Sequence, residues 1–246
     1  RDGLPGLNHL GFELENQAEL VKGYNLAVER NMTAYNEDHD IARGVYCSDP
    51  DGNFIEIYAD TVKDWRARRH GTINRPSPTW SPDSNPPTDI LYDPNPEIRR
   101  VAEAVFHPMR TTHAVLVISD AKFEAAVHYY AEFAGLEPVL GGANQDYAAL
   151  GGTVGERSLS LFRERPRLEP GFHHVGFEGW DESDLEQSIK QAGEHGIEVF
   201  ADIDHATRRS VCIHDPDGIT LQFYADRPVP LTTLDGVDGD AALYLV

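Results

Sequence analysis

Residues 39–56 read HDIARGVYCSDPDGNFIE, and an imperfect second copy, HATRRSVCIHDPDGITLQ, occupies residues 205–222. Both copies place an Asp-Pro-Asp-Gly turn between two strand-like runs. Pro presets one turn dihedral, Asp bonds its own backbone and Gly tolerates positive φ, so each copy predicts a β-hairpin. The copies differ beside the turn, where Tyr46 and Glu56 of the first become Cys212 and Gln222 of the second. The first copy therefore carries groups suited to catalysis, which the second lacks.

Each hairpin ends a longer repeated unit. Residues 7–14, LNHLGFEL, alternate in the manner of a strand and precede a helical run. The stretch GLNHLGFE at residue 6 returns as GFHHVGFE at residue 171, so that His174 corresponds to His9, and His113 lies near the front of a similar strand. Internal repetition predicts an α+β fold of three β-α-β-β-β modules. They cover residues 1–60, 113–165 and 171–226.

The segment between the first two modules, residues 61–112, has a different composition. Half of the chain's 16 prolines lie between positions 76 and 108, which predicts an extended linker. One short helix is expected within it at residues 95–106, and His107, which belongs to no motif, is expected at the surface. Residues 227–246 are rich in Asp and Gly and form a tail to which the sequence assigns no role.

The modules and the first hairpin together resemble the vicinal oxygen chelate superfamily, and within it the extradiol ring-cleaving dioxygenases of the catechol 2,3-dioxygenase type. The signature of those enzymes matches the positions His39, Val45, Tyr46, Asp49, Pro50, Gly52 and Glu56. The resemblance implies that modules pair into curled, metal-holding mixed sheets, with the first module here lacking an in-chain partner. It also implies cleavage of a catecholic ring with O2 by a non-haem Fe(II) enzyme, with Mn(II) as the other candidate metal.

The chemistry explains which residue types the resemblance requires. A metal that accepts a bidentate catecholate and dioxygen needs three protein ligands on one side, which two imidazoles and one carboxylate supply. His9 and Glu56 are suited to be two of them, and the third is expected from a module absent from this chain. His39 is the candidate acid/base, because histidine titrates near neutral pH. The resemblance implies that Tyr46 donates a hydrogen bond to the bound substrate.

The second and third modules hold a weaker, degenerate version of the ligand set, namely His113, His174 and Gln222. An amide oxygen is a neutral and weaker ligand than a carboxylate, so the affinity of this set for Fe(II) is expected to be low. This pair of modules is therefore interpreted as a structural or substrate-gating half.

The missing partner of the first module leaves three functions open. In the first hypothesis, an upstream segment or another chain completes a dioxygenase site. Alternatively, two copies of module one in a homo-oligomer would give a two-His, two-Glu shell, which resembles glyoxalase-type or epimerase members of the superfamily. The third hypothesis is a metal-free protein that sequesters a small molecule, as the drug-binding members of the superfamily do.

Composition narrows the classes of partner. The chain has 41 acidic and 21 basic residues and a formal net charge of -20, a balance that repels nucleic acid and anionic membranes. No apolar run is long enough to span a bilayer. Two cysteines are too few for a disulfide framework, which favours the cytoplasm. The expected partners are a small aromatic diol and O2.

Overall fold

The computed structural model describes residues 6–32, 34–65, 77–93, 95–155 and 157–246. The chain divides into two compact units. The first contains Leu7–Pro96 together with Glu132–Gly135, and the second contains chiefly Glu97–Ala131 and Leu136–Val246.

The first unit is built on a four-stranded sheet. Its elements are β1 (Leu10–Glu13), α1 (Gln17–Glu29), β2 (Tyr35–Asp38), β3 (Ala42–Ser48) and β4 (Phe54–Asp60). The strands lie in the order β1-β4-β3-β2, with β1 parallel to β4 and the other neighbours antiparallel. The carboxyl end of β4 therefore lies beside the carboxyl end of β1.

Helix α1 forms where the sequence provides a cap and an apolar side. The Asn16 side chain accepts a hydrogen bond from the Glu19 backbone N–H at 3.0 Å, which satisfies one of the free donors at the helix start. Leu20 and Ala27, two turns apart on one side of the helix, are fully buried. The helix contacts β3 and β4 through this side.

Strand β4 separates the core of the first unit from its polar face. Ile55 and Ile57 are buried, and a Cβ on Gly23 of α1 would lie 3.0 Å from the Cδ1 atom of Ile57. The helix thus covers this side of the sheet. Because side chains alternate along a strand, Glu56 points to the opposite side.

Part of the Pro-rich segment packs on the same unit. Trp80 is buried, and its indole N–H donates to the Gly44 carbonyl at 3.2 Å. Its backbone exchanges two hydrogen bonds with the Asn36 side chain, at 2.8 and 3.2 Å. The Asp38 backbone N–H also donates to the Pro78 carbonyl at 2.8 Å. Residues 77–80 are therefore anchored along β2 and β3.

The second unit is built on an eight-stranded sheet. Its strands are β5 (Arg110–Ile118), β6 (Glu137–Gly141), β7 (Tyr147–Gly151), β8 (Leu159–Arg163), β9 (Gly171–Glu178), β10 (Val199–His205), β11 (Arg208–His214) and β12 (Thr220–Asp226). The helices in this part of the chain are α2 (Phe123–Phe133), α3 (Glu182–Glu194) and α4 (Gly239–Ala242).

The strand order of this sheet is β10-β11-β12-β9-β5-β8-β7-β6. β5 and β9 pair antiparallel at its centre, β5 is parallel to β8, and β9 is parallel to β12. Each half repeats the order of the four-stranded sheet, with the first strand beside the fourth. The predicted α+β fold with mixed sheets is confirmed.

The two predicted hairpins are also present. Asp49 Oδ1 accepts hydrogen bonds from the backbone N–H groups of Asp51 and Asn53, at 2.9 and 2.8 Å, and Gly52 has a φ of 88°. The second hairpin repeats this arrangement around Asp215. The turn residues act as their chemistry predicts.

The faces of the eight-stranded sheet have different coverings. Leu185 of α3 belongs to an apolar cluster with Val211, Ile213 and Phe223 on one face. Residues 231–246 pack on the opposite face, where Val115 and the ring of Phe162 lie. None of the helices in the described residues has the length and apolar character needed to cross a bilayer.

Two expectations for the linker are wrong. The described residues between 95 and 106 form no helix. Instead, the Phe106 ring stacks on Phe223 with 4.2 Å between centroids, so tertiary packing outweighs the local preference. His107 is buried rather than exposed, and its Nδ1 lies 3.2 Å from Asp184 Oδ1. A buried carboxylate on α3 supplies a partner that the local sequence does not show.

Candidate active site

The structure brings His9 and Glu56 together. His9 immediately precedes β1, whose Gly11 is in register with Glu56 of the parallel strand β4. His9 Nε2 lies 3.3 Å from Glu56 Oε2, and His9 Nδ1 lies 2.7 Å from Asn8 Oδ1. The His9 side chain is 34% exposed and that of Glu56 only 13%, so the pair opens to solvent on the imidazole side.

His39 lies next to this pair. Its Nε2 is 2.8 Å from the Tyr46 hydroxyl and 3.8 Å from Glu56 Oε1. Two further groups, which sequence reasoning missed, contact the ring. Glu37 Oε2 is 3.7 Å from Nε2, and the Ser77 hydroxyl is 3.2 Å from Nδ1. Glu37 lies on β2 and precedes His39, which directly follows that strand, by two residues, a spacing that places both on one face of an extended chain.

Tyr46 lies between His39 and Glu56. Strands β3 and β4 are antiparallel neighbours, and Tyr46 is directly opposite Glu56. Burial and then the adjacent Glu56 carboxylate raise the pKa of the Tyr46 phenol above its ordinary value. The phenol is therefore protonated at neutral pH and remains a hydrogen-bond donor.

Gly44 provides the space for this arrangement. A Cβ at position 44 would overlap Glu56 Oε1 and lie 3.2 Å from the Cε2 atom of Tyr46. The absence of a side chain on β3 thus allows the Glu56 carboxylate to approach that strand.

Aromatic rings line the same face. The rings of Tyr35 and Phe54 each stack on Tyr46, at centroid distances of 5.0 and 5.6 Å, and lie 6.0 Å from each other, so the three rings form one cluster. The His9 imidazole meets Tyr46 and Phe54 edge-on, at 5.9 and 6.1 Å. Flat aromatic surfaces beside a carboxylate and two imidazoles favour a flat aromatic ligand with polar substituents.

The donor set fits part of a metal site. Within the described residues no three His, Cys, Asp or Glu side chains form a group that could hold a metal ion. His9 and Glu56 supply one imidazole and one carboxylate, which are two of the three ligands of a facial two-His, one-carboxylate site. Their assignment as ligands stays a prediction, and so does a third ligand from outside these residues.

The second sheet holds the degenerate set. His113, His174 and Gln222 are all buried, on the central strands β5, β9 and β12. The two imidazole centroids are 6.1 Å apart, and a Cβ on Gly176 would overlap the His113 ring. Within the described residues, His113 Nε2, His174 Nε2 and Gln222 Oε1 have no hydrogen-bond partner. The structure therefore groups these residues as the repeat predicts.

Both imidazoles in this set are held neutral. Burial, and then the Arg208 guanidinium, lower the pKa of His113 well below its ordinary value. Burial, followed by the charges of His173 and Arg208, has the same effect on the pKa of His174. Arg208 is itself buried and paired with Asp226 at 2.7 Å.

Part of the chain is similar in sequence to a known enzyme. No family model matches the chain. A catechol-2,3-dioxygenase of Bacillus subtilis (strain 168) is 36% identical over 67 residues, which are 27% of this chain. The match spans only 24% of the length of that enzyme.

Solved structures cover far more of the chain at lower identity. The 2,3-dioxygenase LapB of Pseudomonas sp. KL28 superposes on 96% of it with a TM-score of 0.66 and 14% identity, over 77% of the LapB chain. The 2,2',3-trihydroxybiphenyl 1,2-dioxygenase of Sphingomonas wittichii strain RW1 covers 94% with a TM-score of 0.62 and 15% identity, over 75% of its own chain.

A Mn(II)-bound glyoxalase of Novosphingobium aromaticivorans covers 95% of this chain with a TM-score of 0.62 and 13% identity, over 73% of its own length. Dioxygenases and a glyoxalase thus share one architecture with this protein. The chain has the vicinal oxygen chelate fold, and the predicted resemblance to the extradiol catechol 2,3-dioxygenases is confirmed.

Proposed function

We propose that this chain contributes to an extradiol-type dioxygenase that cleaves a catecholic ring with O2. The observation that carries the proposal is the convergence of four side chains on one face of the first sheet: His9, His39, Tyr46 and Glu56. A carboxylate and an imidazole lie 3.3 Å apart, beside a histidine whose Nε2 is 2.8 Å from a phenol.

His9 and Glu56 would hold an Fe(II) ion, or alternatively Mn(II). When bound, such a metal would supply Lewis-acid chemistry toward the catechol oxygens and redox chemistry toward dioxygen. The third protein ligand would come from a second copy of the chain or from another segment. The position of β1 at the end of its sheet, as far as the described residues show, supports this assignment, because its counterpart β5 pairs with β9 in the second sheet.

His39 and Tyr46 would manage protons. A catechol must lose protons on binding and regain one during ring opening, so a nearby imidazole is needed to accept and return a proton. The Ser77 hydroxyl and the Tyr46 hydroxyl contact the two ring nitrogens of His39 and fix its orientation. Tyr46, held protonated, donates toward the oxygen atoms of the bound substrate. The stacked rings beside it would exclude water from one side of the ligand.

The comparisons support the same class. The relative in Bacillus subtilis is named a catechol-2,3-dioxygenase, and the two solved structures are named a 2,3-dioxygenase and a 2,2',3-trihydroxybiphenyl 1,2-dioxygenase. The glyoxalase with bound Mn(II) supports the second candidate, a metal-dependent isomerase that moves a proton without oxygen. The two candidates share the metal and differ in the consumption of O2.

The test combines metal analysis with oxygen uptake. The purified chain is loaded anaerobically with Fe(II) and given catechol in an oxygen electrode, while absorbance records a yellow ring-fission product. We expect Glu56→Ala to lose both bound iron and turnover. Glu15→Ala, which removes an exposed carboxylate outside the site, is the matched control and should change neither.

Tyr46→Phe separates proton handling from metal binding. The variant should keep its iron but turn over more slowly, within the roughly 10²–10⁴-fold range typical of a lost acid/base partner. Metal bound by His9 and Glu56 without O2 consumption would favour the isomerase. A chain that binds an aromatic ligand equally well after Glu56→Ala, with no metal, would identify a binding protein. Sedimentation of the loaded chain would report the expected association of copies.

A further inference from the structure

The face of the second sheet that carries His113, His174 and Gln222 is covered by residues 231–246, here called the closing segment. Its buried apolar residues are Leu234, Ala242, Leu243, Leu245 and Val246. They form one cluster with sheet residues Val115, Val117, Leu140, Tyr147, Ala149 and Phe162. On the first sheet, by contrast, the face that carries Glu56 retains partial exposure. The closing segment thus fills space that faces the ligand set.

The closing segment reaches the histidines themselves. The Tyr244 ring stacks on His174 with 5.4 Å between centroids and an interplanar angle of 26°. It also lies 5.7 Å from the ring of His173. A phenol therefore sits against the imidazole where an aromatic ligand would stack.

Hydrogen bonds hold the backbone of the segment at three places. Gln222 Nε2 donates to the Tyr244 carbonyl at 2.7 Å, and Arg157 Nη1 donates to the Leu245 carbonyl at 2.9 Å. The Tyr147 hydroxyl donates to the Leu234 carbonyl at 3.5 Å. The bond to the Tyr244 carbonyl is donated by Gln222, the residue that corresponds to Glu56 of the first sheet.

This contact explains the amide at position 222. An ionised carboxylate accepts hydrogen bonds but donates none, so a Glu would turn a negative oxygen toward the Tyr244 carbonyl. A half-buried carbonyl that faces a buried carboxylate loses its partner and is repelled. Gln222 also donates to the Ser210 hydroxyl at 3.2 Å. The amide is thus oriented by both donated bonds.

We propose that residues 231–246 are a plug that closes a latent metal site on the second sheet, and that Gln222 is the positioning residue that holds the plug in place. The second sheet then contributes a closed, stable body and binds no metal in the native protein. Replacement of the amide by a carboxylate both loosens the plug and restores a two-His, one-carboxylate donor set. This inference does not depend on the proposed function of the first sheet.

The first test is hydrogen exchange of the full chain followed by mass spectrometry. We expect backbone amides of residues 239–246 to be protected in the native protein and to exchange about tenfold faster or more in Gln222→Glu, because one hydrogen bond is lost and one repulsion is added. Gln187→Glu, an exposed amide on α3, is the control for added charge and should leave this peptide unchanged.

The second test counts Co(II) equivalents by equilibrium dialysis. The native protein and His113→Ala should bind the same number, whereas Gln222→Glu combined with Tyr244→Ala should bind one more. If His113→Ala binds one Co(II) equivalent fewer than the native protein, the proposal is wrong, because the second sheet then already holds a metal in the native protein. Unchanged protection in Gln222→Glu would also overturn it. If that variant fails to fold, Gln222→Leu, which removes the donor without adding charge, must show the same loss of protection.

Discussion

Acidification is expected to destabilise the second unit through its two buried imidazoles. The pKa values of His113 and His174 lie well below the ordinary value in the folded state, because burial and the Arg208 cation oppose protonation. In the unfolded chain each histidine titrates near pH 6.5. Below that pH the unfolded chain binds more protons than the folded one. Stability therefore rises with pH in this window and falls as the pH is lowered.

The magnitude follows from proton counting. One extra proton bound by the unfolded state changes the free energy of unfolding by about 1.4 kcal/mol per pH unit. At pH 5, about 1.5 units below the unfolded pKa, each histidine costs up to about 2 kcal/mol, provided that its folded form is still neutral. Two such groups would remove up to about 4 kcal/mol, a large part of the 5–15 kcal/mol typical of a domain. Above about pH 7 neither group contributes to the slope.

The assay is urea unfolding between pH 7.5 and 5, followed by circular dichroism. His113→Gln and His174→Gln each remove one titrating group, and each should flatten the slope below pH 6.5 by about 1.4 kcal/mol per pH unit. His195→Gln alters an exposed ring at the end of α3 and serves as the control for the substitution itself.

The comparison uses the slope of the free energy of unfolding against pH rather than the stability at one pH, because removal of a buried ring also creates a cavity that lowers stability at every pH. If both glutamine variants keep the slope of the native protein, the imidazoles are not held neutral by burial.

Two further substitutions test the packing of the first unit. Gly44→Ala should displace the Glu56 carboxylate, lower the free energy of unfolding by about 1–3 kcal/mol and reduce metal uptake. Gly11→Ala is the control, because its added methyl would only touch neighbouring atoms, and it should change neither the stability nor the metal uptake. Asn36→Ala removes both hydrogen bonds to the buried Trp80 backbone and should cost about 1–3 kcal/mol by urea unfolding, because the freed backbone groups stay buried. An Asn36→Ala chain as stable as the native one would show that residues 77–80 are not anchored by this contact.

The sequence predicts most of the first unit because its signals are local. The cap at Asn16, the alternation along β4 and the turn at Asp49 each depend on residues only a few positions apart. His9 and Glu56 are distant in sequence, and their approach was predictable for a different reason, since a parallel β1-β4 pair follows from the module order.

Contacts between distant residues were not predictable. Ser77 reaches the His39 ring from 38 residues away, and no spacing rule connects them. The helix expected at residues 95–106 fails because Phe106 gains more by stacking on Phe223 than by a helical turn. Residues 231–246 end in the apolar run AALYLV, which has neither a helical nor a strand-like alternation, so the sequence alone does not show that this run packs on the second sheet.

The position of β1 at the end of the four-stranded sheet affects how the protein is handled. Within the described residues this strand is hydrogen-bonded on one side only, and an open strand edge accepts another strand. Copies that carry a net charge of -20 repel one another in dilute buffer. The Debye length shrinks from about 30 Å at 0.01 M to about 3 Å at 1 M ionic strength, so added salt removes this barrier. Self-association should therefore increase with ionic strength, opposite to the behaviour of an assembly held together by ion pairs.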